Sequence, residues 1–206
     1  MTQNIDERAL VAAAQRGDLD AFNQLVIHYQ KLAYHVAYRI LNDADASADA
    51  TQDAFLRAYK ALDQYRGGSF KAWLLRIVTN TCYDQLRAKR RRPTASLEAV
   101  LVTEPVSGPL FVDHTESPEA YAERQELGRV IQAGINTLLP DQRIALTLRD
   151  VAGMDYQEIA EVTRVSLGTV KSRISRARAK LRDHLLAHQE LLPAQYRLKD
   201  DTQDVK

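Results

Sequence analysis

Apolar residues return at intervals of three and four along most of this chain, the period of a helix with one buried face. The clearest stripe is Phe22, Leu25, Val26, Tyr29, Leu32, Ala33, Val36 and Ile40, which predicts a long helix capped by Asp18 and closed by Asn42 and Asp43. A shorter helix precedes it, capped by Asp6 and ended by Gly17. A third is expected from Ser47 to Tyr65, with Ala50, Ala54, Phe55, Ala58, Tyr59 and Leu62 turned inward. The adjacent glycines of "RGG" break it. A fourth begins near Phe70 and stops at Pro93.

The period then vanishes. "TASLEAVLVTEPVSGPLFVDHTESP" carries Pro105, Pro109 and Pro118 and reads as an extended linker. Ser117 and Pro118 suit the N-cap and first position of a new helix running to about Leu138, and Pro140 opens another through "DQRIALTLRDV". No alternating β-branched runs occur. The expected fold is all-α, with two small helical domains joined by the linker. Residues 6–93 form the first, 94–117 the linker, 118–192 the second, and 193–206 a polar tail expected to be disordered.

The last two helices form a tandem. "DYQEIAEVTR" opens with Asp155 and has Glu158 three residues on, the pattern of a capping box. Ser166 can cap the next helix, and the short "TRV" between them allows only a tight turn. Small Ala160 lets the helices cross closely. Val170, Ile174, Ala177, Leu181 and Leu185 make one apolar stripe, while Arg164 to Arg182 supplies seven basic residues and no acidic one, so most of the charge faces outward. This is the pattern of a helix-turn-helix: short or hydrogen-bonding side chains early in the second helix for base edges, long cations for phosphates.

Charge matters here by position. The chain's formal net charge is only +1, but its basic blocks cluster near residues 87–92 and 164–182. The first block completes "SFKAWLLRIVTNTCYDQLRAKRRR", which combines Phe70, Trp73 and Tyr83 with Lys71, Arg76 and Arg87. Rings to stack unpaired bases and cations to neutralise their phosphates are what a single-strand site requires, although Phe70 taken alone suits a core. Upstream, "DADASADATQDAF" lacks the glycine and glutamate of a calcium loop. Asp49 and Asp53, one helical turn apart with Gln52 beside them, suit either a helix N-terminus or a polar docking face.

Other chemistry is poorly supported. The lone Cys82 cannot form an internal disulfide and reads as a small buried apolar residue. His184 and His188 share a helical face without the glutamate of a zinc-protease motif. No metal, cofactor or catalytic residue is expected, nor a membrane span or signal peptide, so the chain is expected in the cytoplasm.

Together the segments "AQRGDLDAFNQLVIHYQ", "ADATQDAFLRAYKALDQYRGG", "FKAWLLRIVTNTCYDQLRAKRRRP" and "LPDQRIALTLRDVAGMDYQEIAEVTRVSLGTVKSRISRARAKL" resemble the extracytoplasmic-function sigma factors of bacterial RNA polymerase, the sigma-E-like class. The resemblance implies a stress-response transcription initiation factor, not an enzyme. Its first domain would dock on core polymerase, at the beta and beta-prime subunits, through Asp49, Gln52, Asp53 and Leu56. Phe70, Lys71, Trp73, Arg76, Asn80 and Arg87 would bind and melt the minus-10 element, holding the non-template strand with one base flipped out. Thr169, Lys171, Ser172, Ser175 and Arg176 would read duplex minus-35 DNA, with Arg176 the expected guanine contact. An anti-sigma factor is implied as inhibitor. Thr51, where many relatives carry a branched aliphatic, and the short "YRGGSFKAW" loop depart from the family pattern, which leaves the base preference of the flipped-base pocket open. The rival reading from sequence is a stand-alone helix-turn-helix regulator that binds duplex DNA without polymerase.

Overall fold

A computed structural model describes residues 6–91 and 117–191; the extended linker and the tail lie outside the described residues. Among the described residues eight α-helices follow in order: α1 (Glu7–Gln15), α2 (Leu19–Leu41), α3 (Ala44–Lys60), α4 (Phe70–Arg91), α5 (Pro118–Asn136), α6 (Pro140–Leu146), α7 (Tyr156–Thr163) and α8 (Leu167–Ala187). No strand occurs among the described residues.

The caps are those the sequence suggests. Asp6, Asp18, Ser117 and Ser166 accept hydrogen bonds from the backbone N–H groups of Ala9, Ala21, Ala120 and Thr169. Asp155 and Glu158 form a complete capping box. Such caps stabilise each helix start by about 1 kcal/mol.

Two boundaries move. The third helix begins at Ala44, not Ser47, because Asp43 does not close α2: its carboxylate accepts from the N–H of Ala46 and starts α3. Asn42 alone closes α2, in the left-handed conformation at φ 53°. Beyond α6 a π-helical turn over Thr147–Val151 interrupts the expected continuous helix. There Arg149 folds back to donate to the Met154 carbonyl at 2.7 Å and lies over the Tyr156 ring, which sets the entry to α7.

The larger difference is in how the halves relate. Sequence periodicity places two helix sets on either side of the linker; in the structure one hydrophobic core runs through both, from Val36, Ile40, Val78 and Cys82 to Leu148, Met154, Ile159 and Val170. Helix α4 packs on α7, and α2 packs on α6 and the π turn. Periodicity shows that a face is apolar and is silent about what covers it, so this junction could not be read from the sequence.

Arg143 ties the junction. Its guanidinium donates to the Ile40 carbonyl at 2.8 Å, the Asn136 carbonyl at 2.8 Å and the Leu138 carbonyl at 3.4 Å. Ile40 lies in the last turn of α2 and Asn136 ends α5, where helical carbonyls lack internal partners and carry partial negative charge, and Leu138 follows just beyond α5. One cation thus caps two helix C-termini from opposite helix sets. Nearby, Arg39 of α2 donates to the Gln132 side chain of α5 at 2.7 Å.

Candidate nucleic-acid interface

Three surfaces carry the residues singled out from sequence. The first is α8 and its approach. Arg164 closes α7 in the left-handed conformation, φ 55°, with its N–H bonded to the Ala160 carbonyl, and the N–H of Val165 reaches the same carbonyl. The chain reverses within two residues and Ser166 restarts it. Val170, Ile174 and Ala177 are buried, which turns the opposite face of α8 outward. Lys171, Ser175 and Arg176 are exposed; Thr169 and Ser172 are half-buried, the first hydroxyl-bonded to Ser166 and the second donating to the Thr169 carbonyl.

The cations of α8 divide into two groups. Arg178 pairs with Asp150 and Arg173 with Asp141, each at 2.5 Å. Lys171, Arg176 and Lys180 have no carboxylate partner among the described residues. The free cations are available to phosphate or base. Between α7 and α8, a concavity of about 500 Å³ is lined by Tyr156, Lys171, Ser175 and Arg178 among others.

The second surface is the start and outer stripe of α4. Gly67 and Gly68, at φ 97° and 93°, take up the left-handed turn ahead of it, and Ser69 caps it by accepting from the Ala72 N–H. Gln15 of α1 steadies the loop by donating to the Leu62 and Tyr65 carbonyls. Phe70 is 1% exposed, its ring 5.8 Å from Tyr29, 5.7 Å from Tyr65 and 5.4 Å from Trp73. That corrects its placement among strand-contacting residues: a ring enclosed on these sides cannot stack a base, and it positions Trp73 instead.

Trp73 itself is half-buried, edge-on to Tyr65 at 5.4 Å. Arg76, Asn80 and Arg87 follow on the same stripe of α4, with Asn80 and Arg87 exposed, while Leu74, Leu75, Val78 and Cys82 fill the other side. Lys71 is half-buried beside this stripe. Tyr83, spaced to fall between Asn80 and Arg87, belongs to the stripe as well, and the Arg87 guanidinium sits 5.9 Å from its ring centre. The sequence marks Tyr83 as an aromatic, but the partner of its hydroxyl lies 58 residues away. The hydroxyl donates to Asp141 at 2.5 Å, and burial, followed by that bond, pushes the phenol pKa up.

The third surface is the outer side of α3. Asp49, Gln52 and Leu56 are exposed, Leu56 at 54%, and Asp53 is half-buried in an ion pair with Arg57 at 2.8 Å. Beside them α2 and α3 bound an apolar groove of about 670 Å³, walled by Phe22, Val26, Phe55, Leu56 and Tyr59. Apolar periodicity predicts Phe55 and Tyr59 inward and does not show this groove, which they help wall. The sequence signal for it is Leu19, an apolar position at the margin of the α2 stripe that is exposed and lines the groove.

Comparison with known proteins matches the Sigma-70 region 2 family over residues 25–92 and the Sigma-70 region 4 family over residues 128–181. The chain is 41% identical to the RNA polymerase sigma-H factor of Pseudomonas aeruginosa over 179 residues, covering 86% of this chain and 92% of that one. It is 37% identical to the ECF RNA polymerase sigma-E factor of Escherichia coli, covering 86% and 93%. Among solved structures it is similar to CnrH in complex with the cytosolic domain of CnrY, at TM-score 0.65 and 30% identity over 88% of this chain and 97% of that one. It is also similar to the sigma factor RpoE in complex with the anti-sigma factor NepR from Bartonella quintana, at TM-score 0.62 and 27% identity over 80% and 96%.

Proposed function

The chain belongs to the extracytoplasmic-function sigma factors, which give bacterial RNA polymerase its promoter specificity, and we propose that it divides that task among the three surfaces just described. The outer face of α8, with Thr169, Lys171, Ser172, Ser175 and Arg176, reads duplex minus-35 DNA. The stripe of α4, with Trp73, Arg76, Asn80 and Arg87 and with Lys71 beside it, captures the non-template strand of the minus-10 element. Asp49, Gln52, Asp53 and Leu56 of α3 dock on core polymerase, at its beta and beta-prime subunits.

The observation that carries this reading is the split character of α8: a buried apolar stripe behind a capped turn, and unpartnered cations beside small hydroxyls in front. Early short side chains reach base edges and later long ones reach phosphates. On α4 the half-buried Trp73 offers a ring face on which an unpaired base gains about 1–3 kcal/mol. Binding energy of this kind offsets the cost of unstacking the promoter, so the protein contributes recognition without catalysis of its own. It acts in the cytoplasm, where its polymerase is, and the anti-sigma complex of a structural relative supports control by an anti-sigma partner.

Run-off transcription with bacterial core polymerase on a pool of genomic promoter fragments tests the reading. Protein-dependent start sites sharing an upstream motif pair are expected, and Arg176→Ala should abolish preference for one upstream base. Absence of such starts with an active, compatible core, together with duplex binding by the protein alone, would transfer the assignment to a polymerase-independent regulator.

A further inference from the structure

Helix α1 precedes the residues matched by the Sigma-70 region 2 family, and none of the residues assigned to promoter or polymerase lies on it. Its last residue, Gln15, nevertheless reaches the stem of the loop ahead of α4. The side-chain amide donates to the Leu62 carbonyl at 2.9 Å and to the Tyr65 carbonyl at 3.0 Å, partners 47 and 50 residues along the chain. Gln15 is exposed, whereas α1 packs on α2 and sends Val11 and Ala14 into the core. The two amide bonds thus add little to the attachment of α1. They bear on the loop they hold.

Polar bonds, not packing, fix the path of that loop. At its apex Gly67 and Gly68 have no atom, outside their chain neighbours, within 4 Å of where a Cβ would sit. Arg66 donates to the Asp63 carbonyl at 2.6 Å, and the Tyr65 hydroxyl donates to the Gly68 carbonyl at 2.8 Å, closing the turn on itself. Gln15 then anchors the closed turn to the body of the protein. The Tyr65 ring carries this placement to the reading stripe, standing edge-on to Phe70 at 5.7 Å and to Trp73 at 5.4 Å. Phe70 is enclosed, and Trp73 rests between it and Tyr65.

We propose that Gln15 is a positioning residue for capture of the minus-10 strand: it holds Tyr65, and through Tyr65 it fixes Trp73 in the orientation that stacks an unpaired base. Helix α1 belongs to the reading site without touching nucleic acid. The inference rests on the assignment of the α4 stripe to the non-template strand. A ring and loop ordered before binding lose little conformational freedom when the strand arrives, and the affinity gain arises there. Without the two bonds the strand itself must order them. Single-strand affinity then falls by about tenfold, the scale of one to two neutral hydrogen bonds at a partly solvated site.

The test uses the full chain and a single-stranded minus-10 oligonucleotide taken from promoters found by run-off transcription, with binding read by anisotropy. Gln15→Met keeps the length of the side chain, adds no charge and removes both donors. It should weaken single-strand binding by about tenfold and leave duplex minus-35 affinity within about twofold, whereas a loss of folded protein would lower both. Trp73 is the single tryptophan, so acrylamide quenching of the free protein reads the site directly, and quenching should rise in Gln15→Met. Made in a Trp73→Ala background, the same change should cost less than about twofold more, because the residue it positions is gone.

The proposal is overturned by unchanged single-strand affinity in Gln15→Met, by unchanged quenching, by an equal loss of duplex affinity, or by a further tenfold loss in the Trp73→Ala background. Should Gln15→Met fail to fold, Tyr65→Phe takes its place. It releases the Gly68 carbonyl and should weaken single-strand binding by about threefold, and unchanged affinity there overturns the proposal. Failure of the underlying assignment looks different. Trp73→Ala that binds the single strand as tightly as wild type refutes the role of α4 and takes the proposal with it; a weakened Trp73→Ala beside an unaffected Gln15→Met refutes the role of Gln15 alone.

Discussion

Replacing Arg143 by methionine keeps an unbranched stem of similar reach and removes every guanidinium donor. Two of the three bonds lost are short, to Ile40 and Asn136, and the Leu138 contact at 3.4 Å is weak. A hydrogen bond from a charged donor contributes about 1.5–3 kcal/mol net, and the partial charge of a helix C-terminus adds up to about 1 kcal/mol. The side chain is half-buried, so water recovers part of the loss, and the expected destabilisation is about 3–5 kcal/mol. Equilibrium urea unfolding measures it with two probes. Trp73, the single tryptophan, reports on the first helix set, and far-UV circular dichroism reports on both. Wild-type curves should coincide because one core joins the sets. In Arg143→Met the midpoint should fall and the two probes should separate, with a lower apparent slope as the sets unfold independently. A loss under about 1 kcal/mol with coincident curves would refute the claim that Arg143 couples the halves.

Three further outcomes follow from the geometry. Trp73→Ala should weaken binding of a single-stranded minus-10 oligonucleotide by roughly 5- to 150-fold, the worth of one stacked base, while leaving duplex minus-35 affinity within about twofold; equal loss of both, measured by anisotropy, would place Trp73 in the core alone. Burial of His35, reinforced by Arg39 and Lys31, holds its pKa below the ordinary imidazole value. The unfolded chain therefore binds more protons as pH falls from about 6.5, stability declines in that direction, and His35→Gln should flatten the decline in urea titrations between about pH 7.5 and 5.5. The Cys82 thiol is fully enclosed and its pKa is pushed up to about 12 by burial, so disulfide reagents at neutral pH should label it only as fast as the protein unfolds; rapid labelling of folded protein would contradict the packing of α4.

The sequence by itself determined the helices, the caps at Asp6, Asp18, Ser117, Asp155 and Ser166, and the two-faced character of α8. Each depends on residues within a few positions of one another, so local backbone geometry decides it. It also located Trp73, Arg76 and Asn80 on one side of α4, because helical spacing fixes direction. Tertiary structure alone decided that Phe70 supports rather than contacts, since enclosure depends on Tyr29, which comes from a different helix. It decided equally that Arg143 caps two helices and that Asp141 holds Tyr83 and Arg173 together. Those partners lie 58 and 32 residues from Asp141 along the chain, and Ile40 lies 103 from Arg143. Sequence periodicity specifies which face a residue occupies; the packing of helices distant in sequence chooses the neighbour it meets there, and with it whether a cation serves the fold or remains free for nucleic acid.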